Sequence, residues 1–371
     1  MVTKTLGNET IAVLGGGYGG LALAGELSLM GANVRLFEFA QFADSIAPIK
    51  KAGGVEVTGQ GEGNFGFAKL GLITHDMGEA IKGAHLIFIV APAFAHDAFI
   101  KDLIPNLKAG QIVVVCTSYW AAFKYGKAVQ KTGAILAEQA VFVYASRRVG
   151  PTEVFIDGEK KELTVATYPM ERLDDTHAAL KQIFPQIAKA SSPFETALNN
   201  PNPLMHPAII VLNIGHIEHK GKDFSFYKAG VSTRVGRVMD SIDAERMRIA
   251  ATLKIANAVP VTEWMRRSYG SSGETLYDVI KSNRAYDKVV WDYSFVMRYI
   301  EEDVPFGLVP LSALGKALGV RTPTIDAIVE LSCQMTGKNY WETGTTLGRL
   351  GLAGMSADQI RALVLSMPTS K

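Results

Sequence analysis

The sequence predicts an α/β first half, built on a doubly wound and mainly parallel sheet, joined to an all-α second half. Three observations predict it. Short runs rich in branched residues alternate with helical periodicity through the first half. A glycine cluster at residues 15–20 separates the first strand-like run from the first helix-like one. Beyond Asn199-Asn200-Pro201-Asn202-Pro203, which breaks any regular element, strand patterns nearly vanish. At 371 residues the chain exceeds one ordinary core, and the breaker sets the expected domains at 1–198 and 199–371.

In order, residues 11–14 form an apolar strand, followed by the glycines and a helix through Met30. Residues 33–37 read as a second strand, 55–73 as a hairpin-like stretch, and the next segment as a helix ending near Gly83. Residues 86–90 and 112–115 are short, apolar and branched, as buried parallel strands are. A strand at 134–136 resumes near 141–144, and 154–156 and 163–167 flank Asp157-Gly158, a hairpin signal. The second half reads as helices at 206–219, 233–257, 261–268, 276–281, 311–318, 325–335 and 357–365. Thr322-Pro323 and Ser356-Ala357-Asp358 act as helix starts.

Composition excludes several classes. Thirty-eight basic residues against 36 acidic ones leave a net charge of +2, with no Lys/Arg stripe, so nucleic acid is not an expected partner. Cys116 and Cys333 lack CxxC spacing, which argues against disulfides and a cysteine-based zinc site, and no metal is expected. The first ten residues show no basic-then-apolar export pattern. The most apolar stretch, 86–94, is far short of a membrane span and contains Pro92. A soluble, cytoplasmic protein with no membrane partner is expected.

The glycines carry specific chemistry. Gly15 permits a tight turn, Gly17 lets the backbone approach a pyrophosphate, and Gly20 lets helix and strand touch. Phosphate then meets the helix amide end beside Tyr18 and Gly19. This is the Rossmann fingerprint. Glu38, at the end of the second strand, is placed to accept bonds from ribose hydroxyls and to repel a 2′-phosphate. No arginine follows it, so NAD(H) is favoured over NADP(H). Pro92 falls where the strand at 86–90 meets the ligand-bearing edge of the sheet.

Of seven histidines, His206 stands apart, flanked by Pro203 and Pro207 at the start of a long apolar helix. Pro207 suits a first helical turn, and Asn213 follows two turns along the same face. Downstream, Arg298-Tyr299-Ile300-Glu301-Glu302-Asp303 runs into a Pro/Gly turn. A carboxylate against His206 would fix its tautomer and favour imidazolium, a competent proton donor. An arginine nearby would clamp a substrate carboxylate. A salt-bridge cluster at a helix end is the alternative.

These residues bear a family likeness. With residues 13–20, Met205-His206-Pro207 and Asn213, Asp243-Ala244-Glu245-Arg246, Glu263-Trp264, Ser268-Tyr269-Gly270 and the segment 298–310, the chain resembles the opine dehydrogenase family, which includes octopine, nopaline and N-(1-carboxyethyl)amino-acid dehydrogenases. The resemblance implies a Rossmann domain and a helical domain with substrate in the cleft. It also implies NAD(P)H-dependent coupling of an amino acid to a 2-oxo acid such as pyruvate through an imine. It assigns catalysis to His206 and its partner Asp303, and substrate carboxylate binding to Arg298. Trp264 and Asn213 are expected at the substrate. Gln139 is a departure, since relatives place a small hydroxyl residue after the glutamate matched by Glu138. A homodimer is expected.

Two other readings share the plan. One is a reductase akin to the ketopantoate, glycerol-3-phosphate or hydroxyacid dehydrogenases, which usually carry a lysine on the first helix after the boundary; here that helix offers Lys220 only at its far end. The other is an NAD-binding protein without turnover.

Overall fold

The computed structural model describes residues 6–60, 63–287 and 293–367, with only the backbone for 293–296. It divides into two compact units, Met1–Lys189 and Ala190–Thr369. The division falls ahead of the Asn/Pro breaker, because the helix at 193–198 is tied to the second unit: the Arg246 guanidinium donates to Leu198 O at 3.0 Å. The breaker is a turn between two helices of that unit.

In the first unit, β1 (Thr10–Leu14), β2 (Asn33–Phe37), β5 (Leu72–Thr74), β6 (Leu86–Ile89), β7 (Ile112–Cys116), β8 (Ile135–Gln139), β11 (Leu163–Tyr168) and β12 (Ile187–Lys189) form one sheet. Its order is β12-β11-β8-β7-β6-β1-β2-β5. From β5 to β8 every pairing is parallel; β11 runs antiparallel to β8. The chain leaves β1 for β2 on one side and later returns to β6 on the other, making a topological switch at β1, where ligands of such sheets bind. The helices are α1 (Tyr18–Leu29), α2 (Ala43–Ala52), α3 (Met77–Ile81), α4 (His96–Leu103), α5 (Ala121–Gln130) and α6 (Leu173–Lys181). Ile87, Val113 and Leu136 on the sheet bury against Phe99, Leu103 and Val129 from α4 and α5.

A second sheet, β4-β3-β10-β9, uses β3 (Gly54–Gly59), β4 (Gly66–Lys69), β9 (Tyr144–Gly150) and β10 (Glu153–Glu159). It packs on α1, which also contacts β1 and β2. Covered on both sides, α1 has no solvent stripe, which accounts for its near-continuous apolar run. The stretch 55–73 therefore supplies a hairpin, β3–β4, and then β5, which returns to the first sheet. The expected hairpin about Asp157-Gly158 is corrected: both residues lie inside β10 at a register irregularity. The hairpin is β9–β10, turning at Pro151-Thr152, because a Gly within a strand accommodates a bulge as readily as a turn.

The second unit is helical throughout its described residues: α7 (Pro193–Leu198), α8 (Asn202–Lys220), α9 (Thr233–Thr252), α10 (Val261–Tyr269), α11 (Leu276–Ser282), α12 (Tyr293–Asp303), α13 (Val309–Leu318), α14 (Pro323–Thr336), α15 (Tyr340–Thr343) and α16 (Ala357–Ser366). Helix α8 packs on α9, α12 and α14, burying Ile209, Met239, Ile249, Ile300 and Ile328. It begins at Asn202, a turn earlier than expected, so Pro203 takes the first-turn position and Pro207 lies inside the helix. Among the described residues no helix is long and apolar enough to cross a membrane.

Candidate active site

In the first unit the glycine turn is shaped by three close approaches. Gly15 has φ +118°, and a Cβ there would lie 2.3 Å from Val90 O. A Cβ on Gly20 would lie 1.8 Å from Gly15 O, and one on Gly19 would press on Phe142 at 3.1 Å. Gly17 differs, since a Cβ there would meet nothing within 4 Å. Gly17 also N-caps α1 with no side-chain bond, and Tyr18 is the first helical residue. The amide end of α1 thus faces open space, as a dinucleotide phosphate requires. Glu38 is buried and accepts from Gly16 N–H and Phe39 N–H, each at 2.8 Å. The carboxylate fastens the end of β2 to the turn and retains further acceptor lone pairs. Pro92 precedes a short 3₁₀ turn after β6.

At the carboxyl ends of β6, β7 and β8 lie buried polar groups that sequence reading missed, Gln139 excepted. Gln139 is fully buried, and neither its amide nitrogen nor its oxygen has a partner; Ser118 Oγ and His96 Nδ1 also lack one. Burial holds the His96 imidazole down to about 3. The segment after β7 is strained, with positive φ at Thr117, Tyr119 and Trp120. Buried Glu138 accepts Ala122 N–H at 2.7 Å at the start of α5. Position at the strand ends was the one available signal.

In the second unit His206 and Asp303 meet. His206 Nδ1 lies 2.8 Å from Asp303 Oδ2, and the carboxylate is fully buried. Local sequence explains the encounter. Asp303 ends α12, and one π-helical turn, Val304–Leu308, follows, where Pro305 lacks the N–H of a regular helix. A Cβ on Gly307 would lie 2.2 Å from Pro203 Cγ, so only glycine lets this turn press onto the start of α8.

The imidazole side chain is only 5% exposed. Tyr299 stacks on it at 4.1 Å, Phe226 packs edge-on, and Nε2 lies 2.8 Å from the Tyr227 hydroxyl. Because a carboxylate oxygen accepts, Nδ1 carries the proton toward Asp303 and Nε2 faces the Tyr227 hydroxyl. Neither tyrosine carries a spacing signal in the sequence. The Arg298 guanidinium lies 5.7 Å from the centre of the Tyr299 ring, so one ring joins the arginine and the histidine. Asn213 is placed elsewhere: its amide donates to Ile209 O and Gly230 O, bracing the segment that carries Tyr227. Trp264 is 6% exposed and packs on Tyr269. The motif at 243–246 is scaffold. Arg246 is buried on Asp243 at 2.5 Å, and Glu245 accepts two backbone amides at the start of α14. Among the described residues no group of three His, Cys, Asp or Glu side chains could hold a metal ion.

A dinucleotide-type α/β unit and a helical unit with a buried histidine–carboxylate pair together define a two-domain dehydrogenase plan. The helical-domain model of NAD/NADP octopine/nopaline dehydrogenases matches residues 189–336, and the N-terminal model of NAD-dependent glycerol-3-phosphate dehydrogenases matches residues 10–118. An opine dehydrogenase of Arthrobacter sp. (strain 1C) is 32% identical over 96% of this chain and 99% of its own. Solved octopine dehydrogenases share the fold. One, with NADH and L-arginine, superposes with a TM-score of 0.75 at 20% identity over 98% of this chain and 99% of its own. Another, with NADH and pyruvate, gives 0.72 at 19% identity over 98% and 100%. The chain belongs to the opine dehydrogenase family, whose members are NAD(P)-dependent oxidoreductases acting on CH–NH donors.

Proposed function

We propose that the chain condenses an amino acid with a 2-oxo acid such as pyruvate and reduces the resulting imine, with NAD(H) preferred to NADP(H). The observation that carries this reading is the His206–Asp303 pair, two residues 97 positions apart brought to 2.8 Å and buried. The glycine turn and Glu38 hold the dinucleotide, which supplies hydride when bound; the Glu38 carboxylate favours ribose hydroxyls over a 2′-phosphate. Arg298 anchors the oxo-acid carboxylate, and the unpartnered Gln139 amide takes a polar group of the ligand. The neutral amine attacks the oxo carbon and gives a carbinolamine. His206, as imidazolium, supplies the proton with which water leaves, and Asp303 stabilises the charged ring. Hydride addition to the imine carbon completes the secondary amine. Two buried, unpaired cysteines agree with a reducing cytoplasm.

The reductase reading is weaker because Lys220 ends α8, exposed and some four turns from His206. NADH and NADPH oxidation across a matrix of amino acids and 2-oxo acids tests the proposal. Turnover that needs both substrates is expected, and turnover with an oxo acid alone overturns it. His206→Ala should lower kcat by about 10²–10⁴-fold with NADH binding intact.

A further inference from the structure

A cavity of about 710 Å³ opens in the first unit. That is the size of a small-molecule site. Among the described residues its wall holds neither the glycine turn nor Ser118 or Gln139, so it lies apart from the positions assigned to dinucleotide and oxo acid. Two groups of opposite charge are buried in that wall. Lys160, just beyond β10, and Glu26, in the third turn of α1, are each 9% exposed. Lys160 Nζ donates to a main-chain carbonyl, Phe142 O, at 2.7 Å. Burial pushes its amine down to about 7. Ile156, Phe65 and Pro185 add an apolar side to the cavity. Toward solvent stand Lys161 and Glu159, the latter accepting from Gln186 Nε2 at 2.6 Å. Asp157 is paired with Arg147 at 3.2 Å, and burial keeps the Tyr144 phenol neutral.

The cavity is tied to the glycine turn through one short segment. Lys160 N–H donates to Val143 O at 2.9 Å, so main chain and side chain of Lys160 together hold residues 142–143. The Phe142 ring in turn lies against Gly19, where a Cβ would sit 3.1 Å from it. Whatever moves Nζ off Phe142 O therefore loosens a brace behind the first turn of α1.

We propose that the cavity is a second amino-acid site: Lys160 takes the carboxylate of a free α-amino acid, Glu26 takes its ammonium, and occupancy weakens the hold on the dinucleotide. One buried cation and one buried carboxylate in a cavity with an apolar side match a zwitterion that carries an apolar side chain. A dicarboxylate would set its second charge against Glu26, and a diamine against Lys160; such mismatched burial is costly. The carboxylate draws Nζ away from Phe142 O and holds it as ammonium, so binding takes up a proton wherever the free amine is neutral. The site does not depend on His206 being the acid of the reaction.

Isothermal titration of the full chain at pH 8 with L-leucine, N-acetyl-L-leucine and isopentylamine tests the site without turnover. L-leucine should bind with uptake of about one proton, read from heats in buffers of different ionisation enthalpy. The other two compounds, each lacking one charge, should bind about tenfold more weakly or worse. Lys160→Met should abolish both the binding and the proton uptake. Glu26→Gln should erase the discrimination against N-acetyl-L-leucine, and serves if the first variant fails to fold. Saturating L-leucine should weaken NADH about fivefold or more in a fluorescence titration, NADH should weaken L-leucine by the same factor, and Lys160→Met should lose the effect. Binding that survives Lys160→Met and is lost in His206→Ala belongs to the catalytic pair and overturns the proposal. No binding, equal binding of the three compounds, or an NADH affinity indifferent to L-leucine overturns it as well. None of these outcomes bears on the catalytic reading, which stands or falls on turnover.

Discussion

Asp303→Asn isolates the electrostatic half of the proposed catalytic pair. The substitution keeps the size of the side chain and an oxygen toward His206, and removes only the charge. Because the carboxylate is fully buried 2.8 Å from Nδ1, solvent screens the pair little. With charge centres about 4 Å apart and an effective dielectric near 20, the imidazolium–carboxylate attraction is about 4 kcal/mol. At about 1.4 kcal/mol per tenfold in rate, full loss in the transition state corresponds to about 10³ in kcat. The amide has a second consequence. Turned by half a rotation it donates to the imidazole and favours the wrong tautomer, which reinforces the loss. The assay is NADH oxidation under saturating amino acid and oxo acid, alongside NADH binding by fluorescence and a thermal melt. The expected result is a kcat loss near three orders of magnitude with NADH affinity unaltered and a lowered but still cooperative melt. A well-folded variant with kcat within about threefold of wild type would refute the assignment of charge stabilisation to Asp303.

Three further outcomes are expected. His96 is neutral in the folded state, its imidazole held at about 3 by burial and then by Lys124, while the unfolded chain keeps 6.5. Between those values the unfolded state binds the extra proton, so the stability His96 allows is full above pH 6.5 and lost as pH falls toward 3. At pH 5 the loss is about 2 kcal/mol, and His96→Gln should melt with a flatter acid limb than wild type. Gly20→Ala forces a Cβ to 1.8 Å from Gly15 O; a loss of about 3 kcal/mol or more, or failure to fold, should appear in thermal unfolding. Gln139→Leu removes a fully buried amide without a partner. Stability should hold or rise by about 1–3 kcal/mol, while kcat/KM for the oxo acid falls by about tenfold or more.

The fold was legible where local chemistry and tertiary demand agree. Residues 33–37 are β2, and the glycines at 15, 17 and 20 sit in the turn their spacing implies, because a strand–turn–helix junction leaves few alternatives. Legibility failed at Asp157-Gly158, where the same dipeptide serves a turn or a bulge and only the pairing of β10 with β3 and β9 decides. In the site, His206 was singled out by residue type and flanking prolines and Asp303 by the family resemblance, and their distance by no feature of the sequence. Tyr227 and Tyr299 escaped because an aromatic that touches an imidazole looks, in sequence, like any core aromatic. Asn213 shows the converse: its place on the His206 helix suggested a ligand, whereas both amide hydrogens are taken by main-chain carbonyls.

Buried polar groups in this molecule fall into two kinds, and the difference bears on function. Arg246, Asp243 and Glu245 are buried with partners for their charged atoms, and they tie α7, α9, α10 and α14 into one scaffold. Such charges are costly to bury and tolerable only when every member is paired. Gln139, Ser118 Oγ and His96 Nδ1 have no such partners, and they share the carboxyl ends of three adjacent strands beside a segment with positive φ at Thr117, Tyr119 and Trp120. Each unsatisfied group costs about 1–3 kcal/mol, and each strained residue adds a similar amount. A fold with about 5–15 kcal/mol of total stability does not carry such a concentration for packing alone. Concentrated at the edge where doubly wound sheets bind ligands, the cost is offset when a polar ligand supplies the missing bonds, and binding energy at that edge is then available to orient what binds there.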